Sequence, residues 1–143
     1  MKIKKLDPKA TVPTYGSAFA AGADLYACEN APVVIEAGKT VLVHTGIAMA
    51  IPEGYVGLIY ARSGLASKRG LAPANKVGVI DSDYRGEIMV ALHNHGTEAQ
   101  TVEDGERIAQ IVFTPYVGAE FQVADDLDST DRGNGGFGST GRK

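Results

Sequence analysis

The stretch Asn75-Lys76-Val77-Gly78-Val79-Ile80-Asp81-Ser82-Asp83-Tyr84-Arg85-Gly86 decides how this chain is read. It opens with the branched apolar residues Val77, Val79 and Ile80, which suit an extended strand, and Gly78 leaves room for another group to approach the backbone. It then becomes polar at Asp81-Ser82-Asp83 and turns at Tyr84-Arg85-Gly86. Glu87 to His95 follows as a second strand, with Ile88, Val90 and Leu92 alternating inward. The unit predicts a β-hairpin with an acidic tip. A carboxylate beside an apolar strand can be held rigid and partly dry, which suits a base that deprotonates water. Tyr84, just beyond, offers a flat wall for a ring. Taken alone, the same residues also make an ordinary surface turn, where Asp and Gly are common.

Outward from this unit the chain keeps the same punctuation. Short runs rich in Val and Ile are separated by glycines, 18 in all, and by prolines at segment edges. That pattern predicts an all-β, jelly-roll-like domain of many short strands. Lys2 to Leu6 reads as a first strand. Thr40 to Ile51 carries Val41, Val43, Thr45, Ile47, Met49 and Ile51 on one face. Pro52-Glu53-Gly54 is a turn, Tyr55 to Tyr60 a strand, and Arg107 to Thr114 another apolar strand. Arg62 to Arg69 is the one helical turn expected, with Ser63 as its cap. From Ala124 onward the apolar content collapses into an acidic run and a Gly-rich end. The expected organisation is therefore a β domain over 1–124 and a flexible arm over 125–143.

The chain's 143 residues suit one domain with a sizeable core. A net charge of −3 argues against nucleic-acid binding by charge alone, though not against a nucleotide site. Cys28 is the only cysteine, so no intrachain disulfide can form, and a reducing compartment fits. No secretory signal and no apolar stretch long enough for a bilayer are present. A cytoplasmic protein with no membrane partner is expected.

Four further segments carry chemistry-bearing residues. Ala21 to Ala27 places Asp24 inside a small-residue strand, where an Asp is often satisfied by backbone N–H groups. Ala61-Arg62-Ser63-Gly64 offers a guanidinium, a hydroxyl and N–H groups at a helix start, which suits phosphate oxygens as well as an ordinary cap. Gly105 to Ile111 puts Arg107, Gln110 or both near a strand start. The tail Arg132-Gly133-Asn134-Gly135-Gly136-Phe137-Gly138-Ser139-Thr140-Gly141 could line an anion with backbone N–H groups and stack one aromatic on a base. It lacks the Gly-Lys-Ser/Thr ending of a P-loop. His93-Asn94-His95, with His44 as a third ligand, resembles a metal fragment without a supporting Cys cluster or carboxylate pair. Nothing marks a His or Asn partner for Cys28 as a nucleophile.

In this order and spacing, the five segments closely resemble the five motifs of the trimeric deoxyuridine triphosphatases (dUTP diphosphatases), over Ala21 to Gly141. The resemblance implies a jelly-roll-like homotrimer whose active sites draw on all three subunits. It implies hydrolysis of dUTP to dUMP and pyrophosphate with Mg²⁺ on the triphosphate, which limits uracil in DNA and supplies dUMP. Asp81 matches the general base. Asn75 and the backbone around Gly78, Val79 and Ile80 match the uracil-reading element, with Met89 on the return strand. Tyr84 matches the aromatic under deoxyribose that leaves no room for a 2′-hydroxyl. Asp24 matches the acid that holds Mg²⁺ through water. Arg62, Ser63, Gly64 and Gln110 match phosphate contacts. Arg132 and Phe137 match arm residues that clamp the γ-phosphate and cover the uracil, with Gly138, Ser139 and Thr140 as further donors. Ala23 is a small departure, since many members carry a larger residue there.

A dCTP deaminase shares the fold, but those enzymes need a glutamate where this chain has Ala91, and tend to carry Arg-Ser-Ser where it has Arg62-Ser63-Gly64. A non-catalytic nucleotide-binding or structural trimer would have no need for Asp81, Asp24 and the arm together.

Overall fold

The computed structural model describes residues 1–136. Its order is β1 (Lys2–Lys5), β2 (Thr14–Tyr15), β3 (Ala23–Tyr26), β4 (Val33–Ile35), β5 (Thr40–His44), β6 (Ile47–Ala50), β7 (Tyr55–Tyr60), α1 (Ser63–Arg69), β8 (Leu71–Pro73), β9 (Gly78–Ile80), β10 (Met89–Asn94), β11 (Gln100–Val102) and β12 (Arg107–Pro115). The fold is the all-β, jelly-roll-like one expected, built from small antiparallel sheets.

The largest sheet has strand order β2-β3-β12-β7-β9, and a second runs β5-β10-β8. The pairs β1-β6 and β11-β4 complete the set. The inner faces share one core that includes Leu25, Val43, Ile59, Val90, Leu92 and Ile111. Ile88, Val90 and Leu92 are buried as their alternation requires. Asn94 is the one fully buried side-chain amide among the described residues. Its Nδ2 donates to the carbonyls of Ile35 and Glu98, and its Oδ1 accepts from Gly96 N–H, so burial leaves no polar atom unpaired.

The hairpin expected from Asn75 to His95 does not form as a ladder. β9 pairs with β7, and β10 pairs with β5 and β8. Residues 81–88 instead carry the chain from one sheet to the other. The reversal falls on Ser82-Asp83, closed by Tyr84 N–H to Asp81 C=O at 3.2 Å, rather than on Tyr84-Arg85-Gly86.

The run Thr40–Ile51 is likewise broken. Gly46 takes φ 66, a left-handed conformation, and hands the chain from β5 to β6. Val43, Thr45, Ile47, Met49 and Ile51 are all buried, so the inward face survives the bend. At α1 the cap is Arg62 rather than Ser63, which is already helical, and no side chain caps the helix. The helix stops at Gly70 in the left-handed region, whose N–H returns to the carbonyls of Ala66 and Leu65.

Candidate functional site

Asp24 lies on β3 opposite Gln110 of β12, and Gln110 lies opposite Tyr60 of β7 on its other side. Three neighbouring strands thus bring Asp24, Gln110 and the start of α1 to one end of the sheet. Asp24 is buried, yet its partners are side chains rather than backbone N–H groups. Arg62 Nε donates to Oδ1 at 2.8 Å, and Arg107 Nη1 donates to Oδ2 at 3.2 Å. Each carboxylate oxygen takes one guanidinium, which fixes both cations in place. Gln110 Nε2 donates to the Ala61 carbonyl at 2.9 Å and ties β12 to the segment before α1. Asp24, Arg62, Ser63, Gly64, Arg107 and Gln110 line one cleft of about 240 Å³. Ser63 and Gly64 are exposed at its rim.

Asp81 lines a different cleft of about 640 Å³, beside Glu53, Ser82, Asp83, Arg85 and Tyr116. It is exposed in the single chain, so the partly dry setting expected of it is absent there. Strand register explains the separation. Ile80 stands opposite Gly57 on β7, and β9 runs antiparallel to it, so Asp81 continues toward the start of β7. Arg62 follows the other end of β7. At about 3.3 Å per residue the two lie roughly 20 Å apart along the strand.

Gly78, Val79 and Ile80 form β9, and Asn75 lies three residues before it. Gly78 is buried; a Cβ there would sit 3.4 Å from Asn75 Nδ2 and 3.2 Å from Ile59 Cβ. Ile80 packs on the core, and Val79 points to solvent. Because β9 is the edge of its sheet, one side of its backbone has no ladder partner among the described residues. Met89 is half-buried on β10, opposite His44, in the other sheet. Tyr84 is exposed, and its hydroxyl donates to the Glu87 carbonyl at 2.9 Å.

Residues 116–136 contain no strand or helix. Val117, Phe121, Val123 and Leu127 stand almost fully exposed along them. Arg132 closes a local turn, Nε donating to the Gly135 carbonyl at 2.9 Å. Phe137, Gly138, Ser139 and Thr140 lie outside the described residues.

Of Arg107, Gln110 or both, the alternatives left open by the sequence, both line the cleft, and Arg107 is the second partner of Asp24. Two residues escape the sequence reading. Arg85 donates through Nη1 to the carbonyls of Ser82 at 2.6 Å and Tyr84 at 2.9 Å, holding the turn after Asp81. Glu87 fixes the exit of that turn: Oε1 accepts from Gly46 N–H at 2.8 Å, and Oε2 meets His44 Nδ1 at 2.9 Å. Burial opposes the Glu87 charge, but the bonds from His44 and Gly46 outweigh it and hold the carboxyl below its ordinary range. The same bond to Glu87 raises His44, against its partial burial.

The histidines do not assemble as a metal site. His93 on β10 and His95 just beyond it have ring centroids 4.4 Å apart, but His44 is committed to Glu87 at the other end of β5. No group of three metal-ligating side chains exists among the described residues. Cys28 is buried, and burial followed by the nearby Asp7 carboxylate pushes its thiol up, which opposes nucleophilic use.

The arrangement is that of a β-sandwich-like scaffold presenting two polar clefts, one acidic and one cationic. A family model described as dUTPase matches residues 8–141, and the chain belongs to that family. The deoxyuridine 5′-triphosphate nucleotidohydrolase of Desulfitobacterium hafniense is 55% identical over 136 residues, covering 94% of this chain and 90% of that protein. The Escherichia coli protein of the same name is 45% identical over 146 residues, covering 99% and 97%. Among solved structures, the dUTPase of Staphylococcus bacteriophage 80alpha with dUPNHPP superposes with TM-score 0.90 at 30% identity, covering 98% and 97%. The dUTPase of phage phi11, described with a structural Mg(II) ion, gives 0.81 at 25% identity, covering 90% and 98%.

Proposed function

We propose that this chain is a dUTP diphosphatase, hydrolysing dUTP to dUMP and pyrophosphate. Family membership, and the name shared by relatives at up to 55% identity, support the activity. The dCTP deaminase and non-catalytic readings have no such support, and Ala91 stands where a deaminase needs its glutamate.

One structural observation carries the arrangement of the site. The register of β7 with β9 and β12 sets Asp81 and the Asp24–Arg62–Gln110 cleft at opposite ends of one sheet. A single nucleotide triphosphate spans neither gap nor turn within one chain. That separation supports the composite site which the family resemblance implies: Asp81, with Asn75, Gly78, Val79, Ile80, Tyr84 and Met89, from one copy, and Arg62, Ser63, Gly64 and Gln110 from another. A homotrimer with a third copy's arm, carrying Arg132, Phe137 and Gly138, completes it. Such a protein works in the cytoplasm, and no described helix is long and apolar enough to cross a membrane.

In this site Asp81 accepts a proton from water as the water attacks the α-phosphorus, and pyrophosphate leaves. The base contributes about 10² to 10⁴-fold. Arginines and backbone donors around the phosphates stabilise the charge that spreads onto them. The outward backbone of β9 and the Asn75 amide pair with uracil's polar edge, and the close walls exclude a methyl on the ring. Tyr84 lies under the deoxyribose and collides with a 2′-hydroxyl.

Mg²⁺ arrives on the triphosphate and is substrate rather than a resident ion. The donor set fits that role. Among the described residues Asp24 is the only carboxylate lining its cleft, and each of its oxygens, already holding one guanidinium, keeps a lone pair for a metal-bound water. Mg²⁺ supplies neutralisation of phosphate charge.

The test is a panel of dUTP, UTP, dTTP and dCTP with Mg²⁺, scored by product. Release of pyrophosphate and dUMP from dUTP, far faster than turnover of UTP or dTTP, is expected. Ammonia from dCTP, or comparable turnover of UTP, overturns the assignment.

A further inference from the structure

Tyr84 is exposed, on a segment with no regular secondary structure, yet its ring is not free to swing. Its hydroxyl is bonded 2.9 Å from the carbonyl oxygen of Glu87. The bond is possible because residue 86 is glycine: a Cβ there would overlap the Tyr84 hydroxyl and ring carbons. The ring therefore folds back over the chain that follows it, and its angle is set by where the Glu87 carbonyl stands.

That carbonyl is fixed from the other sheet. The Glu87 carboxylate spans two groups at the β5–β6 bend, accepting from Gly46 N–H at 2.8 Å and meeting His44 Nδ1 at 2.9 Å. Ile88 N–H donates to the Ile47 carbonyl at 2.9 Å, and Thr45 Oγ1 donates to the Ile88 carbonyl. His44 is fixed in turn by its own N–H, which donates to Glu29 Oε1 at 2.8 Å. A continuous set of bonds thus runs from the bend at Gly46, through the Glu87 side chain, to the phenol of Tyr84. The Glu87 side chain is only 21% exposed, and both groups that satisfy its carboxylate stand at the β5–β6 bend rather than on the segment that carries Tyr84.

We propose that Glu87, braced by His44, is a positioning residue for substrate specificity: it sets the angle of the Tyr84 ring and so the discrimination between deoxyribose and ribose. This rests on the reading of Tyr84 as the wall beneath the sugar. Glu87 touches no substrate atom; it acts through Tyr84. Loss of the brace lets the ring tilt, which admits a 2′-hydroxyl while leaving the base and the phosphates held as before.

The experiment measures kcat and KM for dUTP and UTP in the full-length protein and in Glu87→Gln, Glu87→Ala, His44→Ala, Tyr84→Phe and Tyr84→Ala, with assembly and melting followed for each. Glu87→Ala and Tyr84→Phe should each lower the dUTP-to-UTP ratio of kcat/KM by roughly 3- to 10-fold, the factor that one hydrogen bond's net worth supplies. The change should fall mainly on UTP, through a lower KM. Glu87→Gln, which can still accept from Gly46 N–H, should recover most of the ratio, and His44→Ala should give a smaller loss. Glu87→Ala in the Tyr84→Phe background should add nothing further, an outcome that general loosening of the fold would not produce. If Tyr84→Ala lowers the ratio while Glu87→Ala and His44→Ala leave it unchanged, the brace is overturned and the sugar wall stands. If Tyr84→Ala leaves the ratio unchanged, both are overturned. Additive losses in the double variant also overturn the brace.

Discussion

Arg62 and Asp24 meet through one specific geometry: Nε of the guanidinium lies 2.8 Å from Oδ1, while Arg107 holds the second oxygen at 3.2 Å. Asp24 is 13% exposed and Arg62 26%, so neither charge is well solvated if the other is removed. Asp24→Asn should lower folding stability by about 1–3 kcal/mol, less than a fully buried pair would cost. Combining it with Arg62→Met should cost less than the sum of the two single changes. A double-mutant cycle of chemical unfolding checks this, and strict additivity would mean that the pair carries no coupling.

Asp81→Asn keeps the side chain's shape and removes the proton acceptor. Nucleotide binding should survive nearly unchanged while turnover falls by at least about 10²-fold. Calorimetric titration with a non-hydrolysable dUTP analogue, set beside steady-state rates, separates the two effects. Near-normal turnover would remove Asp81 from the role of base.

The arm should act between subunits. Ending the chain at Thr130 removes Arg132 and Phe137 and should leave a folded assembly with little activity. Co-expressing that chain with Asp81→Asn should restore activity, since a site can then combine an intact Asp81 with a neighbour's intact arm. Under independent mixing roughly a quarter of sites are competent. Mixed assembly is verified by mass, and activity no higher than that of either parent would show that each arm serves its own chain or none.

Stability should follow pH through His44 and Glu87. His44 binds its proton more tightly folded than unfolded, so its contribution is complete below about pH 6.5 and is lost as pH rises through the raised folded value. Glu87 loses its proton more readily when folded, so its contribution is complete above about pH 4.5 and is lost as pH falls through the lowered folded value. The pair is therefore strongest between those limits. His44 is half exposed, and screening keeps the upper limb to under about 1 kcal/mol. Melting temperatures across pH 4 to 9 (a range of about five units spanning both ordinary values) should decline above that window in the native chain and decline less in His44→Gln. Equal slopes would leave the pair without weight.

Gly46→Ala tests the bend. A φ of 66 disfavours any side chain, and the added Cβ would lie 2.8 Å from both Ala10 Cβ and Cys28 Sγ. Together these should cost about 2–4 kcal/mol. A cost well below that, measured by denaturant unfolding, would show that the segment relaxes around the methyl group.

The sequence speaks clearly where local chemistry decides. Pro52-Glu53-Gly54 and the branched residues after it mark β7, and the apolar run from Arg107 marks β12, which extends one residue beyond Thr114. Alternation over Ile88, Val90 and Leu92 gives the buried face of β10. What periodicity cannot contain is the choice of partner. Val77 to Ile80 and Glu87 to His95 are adjacent strands in sequence, yet each finds a better ladder elsewhere. The break at Gly46 is hidden because the inward face stays in register across it. Asp24, Arg62 and Gln110, which the structure brings to one cleft, are legible as candidates: an acid inside a small-residue strand, a guanidinium at a helix start and an amide near a strand start. Glu87 is not, since a charged residue after a turn carries no mark of the two bonds that occupy it.

The edge position of β9 bears on how this protein can drift. Main-chain N–H and C=O groups have the same identity whatever residue bears them, so a base read by a strand edge is indifferent to most substitutions along that edge. On the proposed reading, Val79, 61% exposed, contributes its main chain rather than its side chain to what is read. Gly78 is more constrained: a Cβ there would lie 3.2 Å from Ile59 Cβ, so that neighbour would have to give by a few tenths of an ångström, while the 3.4 Å approach to Asn75 Nδ2 is ordinary contact. On the proposed reading, the choice of base therefore rests on main-chain groups and the Asn75 amide more than on the side chains that β9 carries.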